Sequence, residues 1–217
     1  MSNKRLIIAL DFKNMDEMSN FVSYLDPQNC IVKVGLQLFI SEGPKVLEFL
    51  SQRGFEIFLD LKLHDIPNTV KRSVEEISRF NVKLITIHLQ GGRDMVQAAN
   101  EVKGDTKILG VSLLTSLDEN DTRELYDNDF EKQFNNLINL ANETKIDGIV
   151  CSSQELELIQ DLSLIKVVPG IRNQFSSDDQ KRVMTADEAY NKGANHIVVG
   201  RPITQAKNIE QAIKEYS

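Results

Sequence analysis

Four charged residues interrupt short apolar stretches that have the composition of β-strands. Asp11 follows IIAL, and Lys33 stands inside CIVKVG. Asp60 and Lys62 alternate with leucines in FLDLKL. Successive strand side chains point to opposite faces, so Asp60 and Lys62 share a face with Phe58, and the leucines lie on the other. If the purely apolar faces pack against helices, all four charges point to the inner side of the sheet.

These four side chains could take part in catalysis if the fold brings them close together. Leaving them buried and unpaired would cost several kcal/mol, so we expect two carboxylates and two ammonium groups to pair. One interpretation is a structural ion-pair network. The other, which we favour, is catalytic. A paired ammonium stays charged and fixed, so it can stabilise a developing carbanion and donate a proton, while a neighbouring carboxylate crowds a substrate carboxylate.

Two arginines follow the last two apolar stretches. Arg172 lies in a long polar segment, Pro169–Arg182, and Arg201 follows Gly200 in VVGRPI. In α/β barrels the loops after strands seven and eight often hold a phosphate, and arginine offers a bidentate fork. Gly200 allows the backbone to approach closely, and the polar segment with Gln180 is typical of a lid. The alternative is that both arginines are ordinary surface residues.

The apolar stretches number eight and alternate with amphipathic segments along the whole chain. They predict the strands Leu6–Phe12, Cys30–Gly35, Glu56–Lys62, Leu84–Leu89, Lys107–Leu114, Gly148–Ser152, Ile165–Ile171 and His196–Gly200. Eight βα units in about 200 residues predict a single (β/α)8 TIM barrel over residues 1–217, with the charges near its C-terminal mouth. An open doubly wound sheet is the alternative, although no G-x-G-x-x-G turn follows the first strand.

Helical periodicity lies between these strands, for example in Gly43–Gly54 and Thr185–Gly193, where charged and apolar residues occupy opposite faces. Gly54, Gly104 and Gly193 stand where a helix should end, as C-terminal capping glycines do.

Composition narrows the class of protein further. The net charge of −7 argues against binding nucleic acid or an anionic membrane, which requires broad basic surfaces, but a few arginines can still hold a small anion. Cys30 and Cys151 lie in apolar runs and are expected to be reduced core thiols. The N-terminal apolar stretch is shorter than a signal peptide requires, and no run is long enough to span a membrane, so we expect a cytoplasmic protein.

The segment DLKLHDIPNTV, Asp60–Val70, resembles the orotidine 5′-monophosphate decarboxylases. Its D-x-K-x-x-D core occurs in a wider superfamily that includes hexulose-phosphate synthases, whereas the longer run with IPNT is more specific. Further matches follow the order of the family along nearly the whole chain: Ile7–Phe12, Val32–Phe39, Leu113–Ser116, Val167–Arg172, Asp178–Val183 and Gly193–Ile203.

The resemblance implies decarboxylation of orotidine 5′-monophosphate to uridine 5′-monophosphate, without metal or organic cofactor. Asp11 would bind the ribose, and Thr115 would contact the pyrimidine. Lys33 and Asp60 would belong to the charged network, with Asp60 beside the scissile carboxylate. Lys62 would protonate C6 after carbon dioxide leaves.

The resemblance also implies a homodimer whose active sites are shared across the interface. Asp65, with Ile66 and Thr69, would reach into the partner's site. The alternative for Asp65 is to cap the helix that Pro67 opens.

At the other end of the substrate, the resemblance implies that Gln180, Arg201 and the backbone of Gly200 hold the 5′-phosphate, and that Arg172 lies at the base of the lid.

One departure from the family is visible after the fourth strand. The family pattern His-Ala-x-Gly-Gly is His88-Leu89-Gln90-Gly91-Gly92 in this chain. Leu89 replaces a small residue, so we expect different packing at that strand end, and we expect His88 to be structural.

Two other functions remain open. The first is a metal-dependent phosphosugar aldolase, such as a hexulose-phosphate synthase, although Lys33 would repel the metal ion. The second is a non-catalytic barrel that binds a nucleotide, which would normally tolerate loss of Lys62 or Asp65.

Overall fold

The computed structural model describes residues 5–152, 155–173 and 184–217 and has eight parallel strands in a closed barrel. Each strand pairs with the next, and β8 pairs with β1. The strands are β1 (Leu6–Ala9), β2 (Ile31–Gly35), β3 (Glu56–Leu63), β4 (Leu84–His88), β5 (Lys107–Val111), β6 (Gly148–Val150), β7 (Ile165–Val168) and β8 (His196–Val199). The predicted (β/α)8 barrel is therefore confirmed, and the open-sheet alternative is wrong.

Helices supply the crossovers that parallel strands require. Within the described residues they are α1 (Met15–Val22), α2 (Leu36–Glu42), α3 (Lys45–Gln52), α4 (Pro67–Ser78), α5 (Gly92–Val102), α6 (Glu119–Tyr126), α7 (Phe130–Thr144), α8 (Ala186–Asn191), α9 (Arg201–Thr204) and α10 (Ile209–Tyr216). Short 3-10 helices occupy Leu89–Gly91 and Glu155–Ile159. None of the helices in the described ranges is both long and apolar enough to cross a membrane.

The predicted helix ends are confirmed. Gly54, Gly104 and Gly193 adopt φ of 81°, 56° and 92°, which a residue without Cβ reaches at no steric cost. At the other end of α8, Thr185 and Glu188 form a reciprocal capping box.

Strand alternation sorts the apolar residues into two layers. One layer fills the inside of the barrel with Ile7, Ala9, Ile31, Phe58, Leu84, Leu109, Val167 and Val198. The other layer packs between the strands and the helices and contains most of the remaining buried apolar residues, including Cys30 and Cys151, which are free thiols as predicted. Asp60 follows the inward periodicity of Phe58, and Lys33 that of Ile31, so the charges stand above the inner layer.

Several predicted strands extend too far at their carboxyl ends. The ladder of β1 ends at Ala9, that of β5 at Val111 and that of β7 at Val168. After these residues the chain continues as loops that line a cavity. These loops are no longer paired with the strands on both sides. Asp11 therefore lies in the loop after β1, and Thr115 in the loop after β5.

Leu89 is accommodated by a glycine on the next strand. The leucine is fully buried, and a Cβ added at Gly110 would lie 2.7 Å from its Cδ2 atom. Gly110 thus provides the space that the larger side chain at position 89 occupies.

Replacing Gly110 by alanine should lower the free energy of unfolding by about 1–3 kcal/mol, because the new methyl group would overlap Leu89 and Ile146. Denaturant titration measures the loss. In a Leu89→Ala background the same change should cost less, since one of the two neighbours is gone. Gly148→Ala is the matched control: its methyl group would meet the carbonyl oxygen of Ile165, so Leu89→Ala should not relieve it. Equal costs of Gly110→Ala in both backgrounds would contradict this account.

Candidate active site

A cavity of about 750 Å³ opens at the carboxyl ends of the barrel strands. It is lined by eight of the predicted site residues: Asp11, Lys33, Asp60, Lys62, Thr115, Arg172, Gly200 and Arg201. Its floor is apolar and consists of Ala9, Phe58 and Val198 from the inner layer of the barrel. The predicted residues from six different loops and strands are thus brought to one site.

The four charges form a continuous chain of ion pairs. Lys33 Nζ lies 3.2 Å from Asp11 Oδ1 and 3.7 Å from Asp60 Oδ2. Lys62 Nζ lies 2.8 Å from Asp60 Oδ1. The side chains of Lys33 and Asp60 are 11% and 14% exposed, whereas that of Asp11 is 62% exposed. The inner carboxylate, Asp60, is therefore held between two ammonium groups.

The environment of Asp60 keeps it ionised. Burial raises the pKa of its carboxyl, but the charges of Lys33 and Lys62 and hydrogen bonds from Lys62 and Thr86 outweigh burial, so the pKa lies below its usual value. The hydroxyl of Thr86 donates to Asp60 Oδ1 at 3.0 Å. Asp60 is thus a fixed negative charge at neutral pH, beside a fixed positive charge on Lys62.

Gly200 and Arg201 lie at the junction between β8 and α9. A Cβ at Gly200 would stand 3.6 Å from Ala9 Cβ and 3.8 Å from Asp11 Oδ2. The absence of a side chain therefore leaves free the part of the cavity next to Ala9 and Asp11. Arg172, on the neighbouring loop, is 7% exposed.

The loop after β7 is pinned where it leaves the barrel and where it returns. Ile171 bridges to Met184, and the N–H of Arg172 donates to the Met184 carbonyl at 3.0 Å. The N–H of Asn173 donates to the Tyr216 hydroxyl at 3.0 Å. Arg172 thus stands on a fixed stem tied to the C-terminal helix. The predicted phosphate contact Gln180 lies outside the described residues.

Asp65, Ile66 and Thr69 are exposed and do not line the cavity of their own chain. The carboxylate of Asp65 accepts from the N–H of Ile66 at 2.7 Å. Helix α4 begins at Pro67 as predicted, but its N-cap is Ile66, with no side-chain cap. The capping alternative for Asp65 is therefore wrong, because its hydrogen bond is made before the helix starts.

His88 has a structural environment. Its Nδ1 lies 2.9 Å from Gln90 Oε1, and Gln90 Nε2 donates to the carbonyl of Ser112 at 2.6 Å. Burial lowers the pKa of His88, and nearby positive charge on His64 and Lys62 lowers it further, whereas the bond with Gln90 raises it. The ring lies outside the cavity lining and ties the end of β4 to the loop after β5.

Sequence reasoning missed Thr86 and Asn173. A signal for Thr86 existed, since alternation in LITIH places it on the inward face with Leu84, beside the charged strand β3. Asn173 carried no local signal, because its partners, Ala186, Glu215 and Tyr216, are all distant in sequence.

Comparisons with known proteins identify the family of the chain and agree with the fold. Residues 4–216 match the orotidine 5′-phosphate decarboxylase / HUMPS family. The chain is similar to proteins named orotidine 5′-phosphate decarboxylase from Streptococcus sanguinis, at 41% identity over 99% of this chain and 97% of the relative, and from Staphylococcus haemolyticus, at 42% over 93% and 92%. The crystal structure of orotidine 5′-phosphate decarboxylase from Lactobacillus acidophilus superposes with a TM-score of 0.86 at 33% identity and covers 99% of both chains.

Asp60→Asn should lower the free energy of unfolding at pH 7 by about 3 kcal/mol, because Lys33 and Lys62 lose their shared carboxylate. Because the pKa of Asp60 is lower in the folded chain than the unfolded value of about 3.9, its carboxylate stabilises the fold at pH values above about 3.9. That stabilisation is lost as the pH falls through the folded pKa. The deficit should therefore shrink below about pH 4. Asp11→Asn is the matched control: it removes an exposed partner of Lys33 and should cost less than about 1 kcal/mol. A deficit independent of pH, or equal in the two variants, would contradict the pairing.

Proposed function

The chain belongs to the orotidine 5′-phosphate decarboxylase / HUMPS family, and on that premise we propose that it decarboxylates orotidine 5′-monophosphate, with Lys62 as proton donor and without metal or organic cofactor. Relatives named for this enzyme, at 41% and 42% identity, support the reaction and its place in pyrimidine biosynthesis. The observation that carries the finer proposal is the chain of ion pairs from Asp11 to Lys62 in the cavity, with Arg172 and Arg201 lining the same cavity.

The reaction breaks the bond between C6 and the carboxylate. The bonding pair stays on C6, carbon dioxide leaves, and the resulting carbanion has little delocalisation. A preformed ammonium beside C6 lowers the energy of that anion, because no reorganisation is needed as charge develops. Lys62 then transfers a proton from Nζ to C6 and regains one from solvent.

Asp60 acts on the same atoms in two ways. Its carboxylate holds the Lys62 ammonium at 2.8 Å, which keeps the proton donor charged and aimed. Its negative charge also disfavours a substrate carboxylate nearby, and this repulsion disappears when neutral carbon dioxide leaves. Lys33 balances the charge and connects Asp60 to Asp11, which we assign to the ribose.

The remaining cavity residues supply binding energy away from the reacting carbon. We assign the 5′-phosphate to Arg201, the backbone of Gly200, Arg172 at the loop stem, and Gln180. Thr115 is assigned to the pyrimidine, since its hydroxyl can both donate and accept. Charge-assisted bonds to a dianionic phosphate are strong enough to order the site around the ring.

The metal-free proposal is supported by the partners of the two carboxylates. Asp11 and Asp60 both contact lysine ammonium groups, which would repel a divalent cation. This arrangement favours the decarboxylase over a metal-dependent phosphosugar aldolase. A barrel that only binds a nucleotide would not need Lys62 to be held against Asp60.

A homodimer with shared sites is supported by one face of the barrel mouth. Asp65, Ile66 and Thr69 are exposed after β3, and Ile66 is 66% exposed. On α2, which follows the adjacent strand β2, Leu36 and Ile40 are 52% and 78% exposed and lie one turn apart on one helix face. We propose that the exposed apolar residues Leu36, Ile40 and Ile66 contact a second copy of the chain, and that this contact places Asp65 in the partner's cavity.

In buffer containing excess EDTA, the wild-type chain should consume orotidine 5′-monophosphate at an undiminished rate. Loss of activity in EDTA that a metal ion restores would favour the aldolase.

Lys62→Ala should lower kcat by at least about a hundredfold while the Kd for uridine 5′-monophosphate changes little, because Lys62 acts on the developing carbanion. Lys71→Ala, which removes a surface lysine paired with Glu101, is the matched control and should leave kcat unchanged. A Lys62→Ala variant with a tenth of wild-type kcat would rule out Lys62 as the proton donor.

Mixing inactive variants tests the shared site. Lys62→Ala and Asp65→Asn should each inactivate their own homodimers. After equal amounts exchange subunits, about half of the dimers are mixed, and each mixed dimer has one site with both residues intact. Activity should therefore rise toward about a quarter of normal, since about one site in four is wild type. No recovery after demonstrated subunit exchange would contradict the shared site and leave Asp65 with a role within its own chain.

A further inference from the structure

Lys62 has an unusual backbone. Its φ is +50°, in the left-handed region that a residue with a side chain rarely adopts. The pairing of β3 with β4 is irregular at the same place: β3 advances from Leu59 to Leu63 while β4 advances only from Ile85 to Ile87. A conformation of this kind costs about 1–2 kcal/mol and persists only where neighbouring groups determine it.

Thr86 is the residue of β4 opposite this bulge. It is fully buried, and its Oγ1 accepts the backbone N–H of Lys62 at 2.9 Å. The same hydroxyl donates to Asp60 Oδ1 at 3.0 Å, and this carboxylate oxygen also accepts from Lys62 Nζ at 2.8 Å. One hydroxyl therefore contacts both the backbone that carries the ammonium and the carboxylate that holds it.

We propose that Thr86 is a positioning residue for the reaction: it fixes the bulged backbone of Lys62 and the carboxylate of Asp60, so that the ammonium is aimed at the reacting carbon. The proposal rests on the proposed function of these two residues. Thr86 is absent from the described residues that line the cavity, so it acts through its neighbours. A hydroxyl is required because it must accept from one group and donate to another, and a β-branched side chain restricts its orientation.

Loss of the hydroxyl would affect the two charges and leave the arginines untouched. The N–H of Lys62 would lose its partner, and Asp60 would lose one donor, which frees the bulge to change register. A displacement of about 1 Å at a proton donor can lower the rate about a hundredfold. Binding of a nucleotide through its phosphate should change far less.

The experiment compares Thr86→Val, Thr86→Ser and the matched control Thr106→Val. Thr106 is also buried, and its hydroxyl donates to the carbonyl of Val82 at 2.8 Å, away from the site. Thr86→Val should lower kcat about 10- to 100-fold, with less than about threefold change in the Kd for uridine 5′-monophosphate. Thr86→Ser should keep kcat within about threefold of wild type. Thr106→Val should lower Tm by a similar amount to Thr86→Val without the loss of kcat.

The pH profile gives a second readout that a merely structural role would not move. Because the hydrogen bond from Thr86 contributes to the low pKa of Asp60, the acid limb of kcat should move to higher pH in Thr86→Val. An unchanged kcat in Thr86→Val, an equal loss in Thr106→Val, or a loss above about threefold in folded Thr86→Ser would overturn the proposal.

Failure of the proposed function would be recognised separately. If the wild-type chain did not turn over orotidine 5′-monophosphate, amide hydrogen exchange of Lys62 would still report on Thr86. In Thr86→Val the protection factor of the Lys62 N–H should fall at least about tenfold, and in Thr86→Ser it should stay at the wild-type level. Equal protection in Thr86→Val and wild type would overturn the positioning role whatever the reaction.

Discussion

The site depends on one carboxylate held between two ammonium groups. Asp60 is largely buried, and it stays ionised because Lys33 and Lys62 lie 3.7 and 2.8 Å from its two oxygens and Thr86 donates a hydrogen bond to it. The ion pair with Asp60 also holds the Lys62 ammonium in place, and it does so without any bond between Lys62 and the substrate. A barrel can supply this arrangement because adjacent parallel strands end at one mouth, where side chains two residues apart share the inner face.

The position of Arg172 in the cavity depends on the loop after β7 and on the C-terminal helix. Arg172 and Arg201 line the cavity, where we propose that they hold the phosphate, and Arg172 depends on a loop stem fixed by the bridge between Ile171 and Met184. Asn173 ties this stem to Tyr216 near the end of the chain. The C-terminal helix therefore takes part in shaping a site whose reactive groups all lie in the first third of the sequence.

The order of eight βα units was sufficient to predict the barrel, and alternation along its strands was sufficient to predict that Asp11, Lys33 and Asp60 meet at one mouth. It could not predict the left-handed backbone of Lys62, because that conformation depends on the shifted pairing of β3 with β4. Thr86 was predictable as an inward hydroxyl, but its two partners follow from the same register shift. The roles that we propose for Asp65 and Ile66 follow neither from sequence periodicity nor from a single chain, since these exposed residues do not line the cavity of their own barrel.

The central claim, that Asp60 is an ionised carboxylate bracketed by two lysines, is tested most directly by its own titration. The ¹³C chemical shift of the Asp60 carboxyl, followed against pH in the folded wild-type chain and assigned through Asp60→Asn, gives its pKa. We predict a midpoint clearly below the usual value of about 3.9. A midpoint at or above 3.9, in protein shown to be folded by circular dichroism, would mean that burial outweighs the lysines and would contradict the account.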